Sequence, residues 1–107
     1  LEKGKVIGKH SDKIDKDIES GNIVRVHIPI RTSKDVIFTI YENARDKQGH
    51  DHNLKTGHFY YTDVSKPHAV QNNSNEDRIH LVVDCVRNTQ LTSLLSVIAW
   101  QGPLSMI

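Results

Sequence analysis

The chain is poor in the residues that staple a fold or anchor it to a membrane. It has one cysteine, one tryptophan and one methionine in 107 residues. A single thiol, Cys85, cannot close an internal disulfide, which fits a reducing compartment and a cytoplasmic protein. No apolar run approaches the roughly 20 residues of a membrane-spanning helix, and no signal peptide is visible. An excess of one charge is missing too. Fourteen Lys and Arg stand against 13 Asp and Glu, a formal net charge of +1, so nothing argues for nucleic acid or a membrane as a partner. The length suits one domain with one core, taken as residues 1–107.

Histidine, by contrast, is plentiful. There are seven, and His27, His68 and His80 lie in or beside apolar runs. Runs rich in Val, Ile, Tyr and Phe alternate with turn signals, a mainly β pattern. Strands are expected near Val6–Lys13, Asn22–Thr32, Val36–Glu42, Gly57–Asp63, His68–Asn72 and Arg78–Val86. Residues 43–55 read as a polar loop or a loosely paired hairpin arm. Leu91, Leu94, Leu95 and Ile98 then recur at helical spacing, predicting an amphipathic helix over about 89–100, anchored by Trp100 and ended by Gly102-Pro103.

Two strands have faces of opposite character. Val24, Val26, Ile28 and Ile30 share one face of the first, with Arg25 and His27 on the other. In the second, Ile79, Leu81, Val83 and Cys85 oppose Arg78, His80, Val82 and Asp84. Such strands either show their charged face to water or turn it into a cavity that holds a charged ligand.

The spacing of four residues favours the cavity. His10 and Asp12 stand two apart, so in an extended segment both project to one side. His68, from another strand, would complete a set of two imidazoles and one carboxylate, which occupies one face of an octahedron and leaves three positions open, as in non-heme Fe(II) oxygenases. Arg78, ten residues after His68, is placed to anchor 2-oxoglutarate, because a guanidinium pairs bidentately with a carboxylate. Without cosubstrate, Arg78 should be held by Asp84, water or a buffer anion. His50-Asp51-His52 is a second cluster, read as a solvated or substrate-covering loop because no third ligand stands nearby. His27 and His80 are either contacts of the bound molecules or core histidines with satisfied partners. At most one of Tyr60 and Tyr61 lines the cavity, Asp63 bonds local backbone in a turn, and Cys85 is a small hydrophobe.

With these residues in view, the chain resembles the Fe(II)/2-oxoglutarate-dependent dioxygenases of the aspartyl/asparaginyl β-hydroxylase type, which include free-proline hydroxylases. The resemblance is carried by His10-Ser11-Asp12, by 25–30 (RVHIPI), by 57–63 (GHFYYTD), by 67–74 (PHAVQNNS) and by 78–84 (RIHLVVD). It implies a double-stranded β-helix, a jelly roll of the cupin-like kind, with its core in residues 6–87. It further implies that His10, Asp12 and His68 hold iron, that Arg78 binds the distal carboxylate of 2-oxoglutarate, and that Arg25 is a second carboxylate contact. The expected activity is hydroxylation, with O₂ as oxidant, of an amino acid or of an Asp, Asn or Pro side chain in a small molecule or peptide. Asp12 departs from the vertebrate-type aspartyl hydroxylases, which lack the carboxylate. His58 stands where the family often has Glu. Only nine residues precede His10, so the family's N-terminal strand and helices are expected to be missing, leaving an edge that favours a homodimer. The rival reading is a cupin-like barrel that binds a metal or small ligand without oxidising anything, or a truncated, inactive relative.

Overall fold

The computed structural model describes residues 1–12, 16, 20 and 22–90, and the backbone of 104–106. Among the described residues, eight strands form two four-stranded sheets. They are β1 (Val6–His10), β2 (Ile23–Arg31), β3 (Val36–Ile40), β4 (His50–His52), β5 (Phe59–Thr62), β6 (His68–Asn72), β7 (Ile79–Val86) and β8 (Leu104–Met106). The first sheet runs in the order β1-β6-β3-β4 and the second β7-β2-β5-β8. All pairings are antiparallel except that of β5 with β8.

Strict alternation builds the core. Val36, Phe38 and Ile40 of β3 point inward while Ile37 and Thr39 do not, the period of two that a pleated strand imposes. Across the ladder, Phe38 sits opposite Val70 and Ile40 opposite His68. These side chains pack with Leu54 and with Tyr60 from the second sheet, so the core joins the two layers. Full burial of each large side chain here is worth roughly 1.5–3 kcal/mol. Tyr60 hides its ring but keeps its hydroxyl satisfied, which accepts the Lys55 N–H at 2.9 Å.

All six expected strands are present, His68–Asn72 with the ends expected and the others with shifted ends, and the possible hairpin arm is β4, paired along β3 through Thr39 and Asp51. Gly49 opens that strand at φ +65, where an added Cβ would lie 2.7 Å from the Thr39 side chain. The first strand is shorter than expected and ends at His10. It is an edge strand, exposed along its whole length. The pairing of Leu104–Met106 with β5 was not anticipated. From residue 91 onward the expected terminal helix, with Trp100, lies outside the described residues. Among the described residues, no helix is long and apolar enough to cross a membrane.

Candidate metal and anion site

A cavity of about 500 Å³ opens between the two sheets. The first sheet lines it with His10, His68 and Phe38, and the second with Arg25, His27 and His80; Asp12 and Arg78 line it from just outside the strands.

The β1–β6 register brings the two imidazoles together. His10 is the Cα partner of His68, and the ring centroids lie 4.4 Å apart. A regular ladder could not achieve this from the side that Ile7 occupies. Ile7 pairs with Val70, so three steps along β1 meet two along β6. That extra residue is a β-bulge, which turns His10 to the side it would otherwise leave. Asp12 follows the strand end, fixed by its N–H donated to the Val64 carbonyl at 3.0 Å. The expected H-x-D geometry on one continuous strand is therefore replaced by a bulge, a strand end and a backbone anchor.

Ligand atoms of His10, Asp12 and His68 lie within 4.8 Å of one another, and among the described residues no other such group of three is found. The two imidazoles are oriented alike. His10 Nδ1 donates to the Gly8 carbonyl at 2.7 Å and His68 Nδ1 to the Lys66 carbonyl at 2.8 Å, each two residues back. With the proton on Nδ1, each Nε2 carries a lone pair toward Asp12, from 3.8 Å in both cases. Burial lowers the His68 pKa, more than the Lys66 carbonyl raises it, so this ring is neutral at neutral pH and its approach to Asp12 is not an ion pair. Two imidazole nitrogens and a carboxylate around one point can hold a divalent metal ion.

Arg25 supports this group from the facing sheet. Its Nη1 donates to Asp12 Oδ2 at 2.7 Å, while Nε and Nη2 form a fork on Asp84 at 2.8 and 3.0 Å. Arg25 and Asp84 are cross-strand partners on β2 and β7. The guanidinium holds the Asp84 carboxyl below its usual range. Arg25, expected as a cosubstrate contact, is thus occupied by two carboxylates of the chain itself.

Arg78 has no such partner. It is 8% exposed, lines the same cavity, and pairs with no carboxylate among the described residues. Asp84, expected to hold it, is taken by Arg25. Instead Arg78 Nη2 lies 2.8 Å from His80 Nδ1, and His80 lies 3.2 Å from His27 through their Nδ1 atoms. Burial lowers the Arg78 pKa to about 10, leaving it a cation at neutral pH. Burial first, and then the Arg78 charge, lower His27 to about 4 and His80 to about 3. Both rings are neutral, so neither offsets the Arg78 charge. Phe38 separates it from the metal-binding group, edge-on to His27 at 5.5 Å and stacked on His68 at 5.9 Å.

The model of the aspartyl/asparaginyl β-hydroxylase family matches residues 1–88. The chain belongs to this family. No curated protein matches it. The family is one of hydroxylases, and the match covers both the His10-Asp12-His68 group and Arg78. The second sequence cluster is unlike them. His50 and His52 sit on β4, where Asp51 accepts from Thr39 and no third ligand joins. Neither Tyr60 nor Tyr61 lines the cavity, since Tyr60 is in the core and the Tyr61 hydroxyl accepts from Arg87. Asp63 takes the Ser65 N–H, as its turn position suggests. Sequence reasoning missed the Arg25–Asp12 pair. The signal was available, because Arg25 stands on the polar face of β2, but nothing in a sequence states which carboxylate a bulge will bring to it.

Proposed function

We propose that the protein is a non-heme Fe(II)- and 2-oxoglutarate-dependent hydroxylase acting on an amino acid or on an Asp, Asn or Pro side chain. One observation carries the reading: a two-histidine, one-carboxylate group and a buried arginine with no carboxylate partner among the described residues line the same cavity. A hydroxylase that binds metal and a dicarboxylic keto acid together needs both. Family membership supports the reaction class.

The donor set fits iron. Its nitrogens and oxygen suit Fe(II), three protein ligands leave three positions open, and the Nδ1 bonds to backbone fix both rings. His10, Asp12 and His68 would hold the ion. Bound there with 2-oxoglutarate, it supplies the oxidative decarboxylation by O₂ that yields succinate, CO₂ and a hydroxylated substrate. The chain does the rest. Arg78 anchors the distal carboxylate and so sets the direction in which the keto acid lies. Arg25 steadies Asp12. Val64, Val70 and Phe38 give the cavity an apolar wall that limits water. The strand orders support the finer fold reading as well. The chain alternates between layers from β1 to β3 and again from β4 to β7, as a double-stranded β-helix does, with β1 and β6 side by side carrying the two histidines.

The test is succinate release from 2-oxoglutarate, with Fe(II) and O₂, across a panel of free amino acids and of Asp-, Asn- and Pro-containing peptides. At least one member should raise succinate formation above the uncoupled rate and gain one oxygen atom by mass. No Fe(II)-dependent consumption of 2-oxoglutarate with any member would contradict the proposal.

A further inference from the structure

The two carbonyls that orient the metal-binding imidazoles both lie where the strand ladder gives little support. The Gly8 carbonyl, which accepts from His10 Nδ1, belongs to the Gly8–Lys9 peptide. Between the pairs Ile7–Val70 and His10–His68, these two residues stand against Ala69 alone, so the ladder is interrupted there. β1 is also an edge strand, with no second neighbour among the described residues. The Lys66 carbonyl, which accepts from His68 Nδ1, belongs to the Lys66–Pro67 peptide, just ahead of β6.

Both segments are fastened to one loop, residues 41–49 between β3 and β4. Lys9 reaches past β6, which lies between β1 and β3. Its Nζ donates to the Ala44 and Asp46 carbonyls at 3.2 and 2.5 Å and stands 4.1 Å from the centre of the Tyr41 ring. Ahead of β6, the Pro67 carbonyl accepts the Tyr41 N–H at 2.8 Å, and Lys66 Nζ meets Glu42 Oε2 at 3.5 Å. The loop is itself tightly tied. Asp46 accepts from the N–H groups of Glu42, Gln48 and Gly49, and Asn43 Oδ1 from those of Arg45 and Asp46.

We propose that loop 41–49 is a clamp on the metal site and that Lys9 is a positioning residue for His10. Its ammonium fixes the Gly8–Lys9 peptide, and with it the carbonyl that keeps the His10 proton on Nδ1 and leaves Nε2 free to ligate. The proposal rests on the metal reading above and adds a residue that does not line the cavity. Because Lys9 is exposed, losing its charge should cost metal affinity rather than stability.

Co(II) titration of the metal-free protein, followed by visible absorption, tests it. Lys9→Met should lower Co(II) affinity about tenfold, the lower end of the cost of losing a partner behind a ligand. The melting temperature should stay within about 4 °C, the span of a surface substitution. Lys9→Arg should bind nearly as wild type, since a guanidinium also donates to carbonyls and stacks on a ring. Lys5→Met, an exposed lysine just before β1, should change nothing. In ¹⁵N-histidine-labelled metal-free protein, His10 should be mainly the Nδ1–H tautomer in wild type and spread over both tautomers in Lys9→Met, with His68 unchanged. Asp46→Ala loosens the loop from its own side. It should weaken Co(II) binding too, and adding Lys9→Met to it should cost less than Lys9→Met alone. Wild-type affinity and tautomer in Lys9→Met, a loss matched by Lys5→Met, or full additivity with Asp46→Ala would overturn the clamp while the metal reading stood. Co(II) binding that survives His68→Ala in full would overturn both.

Discussion

The two sheets meet at one cavity in different states of readiness. On the side of β1 and β6, each imidazole has its outer nitrogen tied to a backbone carbonyl, and Asp12 is already held by Arg25. On the side of β7, Arg78 is buried without a carboxylate, and donors of Arg78 and His80 lack acceptors. The first region is shaped in advance for a cation, with its ligands oriented and its carboxylate steadied. The second is a buried charge whose balancing partner the described chain does not supply. The first region could hold a metal with side chains already gathered, whereas the arginine region would gain most from an anion brought by a ligand. A keto acid that chelates the metal at one end and carries a carboxylate at the other answers both.

Breaking the metal side should have the largest effect. His68→Ala or Asp12→Ala should lower affinity for Fe(II) or Co(II) by more than about a hundredfold, since each removes one of three ligands. Calorimetry and the visible spectrum of the Co(II) form report this, and circular dichroism should show the β signature retained. Asp12→Gly should abolish hydroxylation while leaving room for an exogenous anion at the metal. Full metal affinity in His68→Ala would remove that side of the comparison.

Breaking the anion side comes next. Arg78→Ala should raise the apparent KM for 2-oxoglutarate by about a hundredfold or more, the scale of losing one partner of a buried charge pair, with metal affinity little changed. Arg78→Lys should restore only part, because the planar fork is lost.

A smaller effect sharpens the role of Arg25. Neither Arg25 nor Asp84 can ligate the metal, yet Arg25→Gln should reduce metal affinity about ten- to hundredfold, as loss of a partner behind a ligand does. Asp84→Asn should do so more weakly, and titration of both with Co(II) gives the order.

A separate readout is stability. His27 and His80 have native pKa values near 4 and 3, below the ordinary 6.5. Between those limits the unfolded chain binds more protons than the native one, so stability rises with pH. The metal-free protein should therefore keep its full melting temperature above about pH 6.5 and lose it progressively as pH falls toward 4. Replacing His27 with Phe should flatten that slope, as thermal melts across the range would show.

Much of this was legible in the sequence because it depends on period and spacing. Alternation along 24–30 and 78–85 set apart the polar faces, whose Arg25, His27, Arg78 and His80 line the cavity, and the positions of His10, Asp12, His68 and Arg78 marked residues that share it. What stayed hidden depends on register. The bulge between Ile7 and His10 is marked only by Gly8, which does not say which way His10 will point. Arg25 and Asp84 become partners only because β2 and β7 align them, which leaves Arg78 to His80, two residues along its own segment. The short pairing of Leu104–Met106 with β5 is likewise a matter of topology, which local propensity does not encode.

Anaerobic titration of Fe(II) into the protein with 2-oxoglutarate, followed by visible absorption, tests the central claim most directly, because the comparison requires one molecule to engage both sides at once. A metal-to-ligand charge-transfer band should grow, saturate in both components, vanish in Asp12→Ala, and need far more 2-oxoglutarate in Arg78→Ala. Tight binding of 2-oxoglutarate without metal, or a band unaffected by Arg78→Ala, would show that the two sides do not share a ligand.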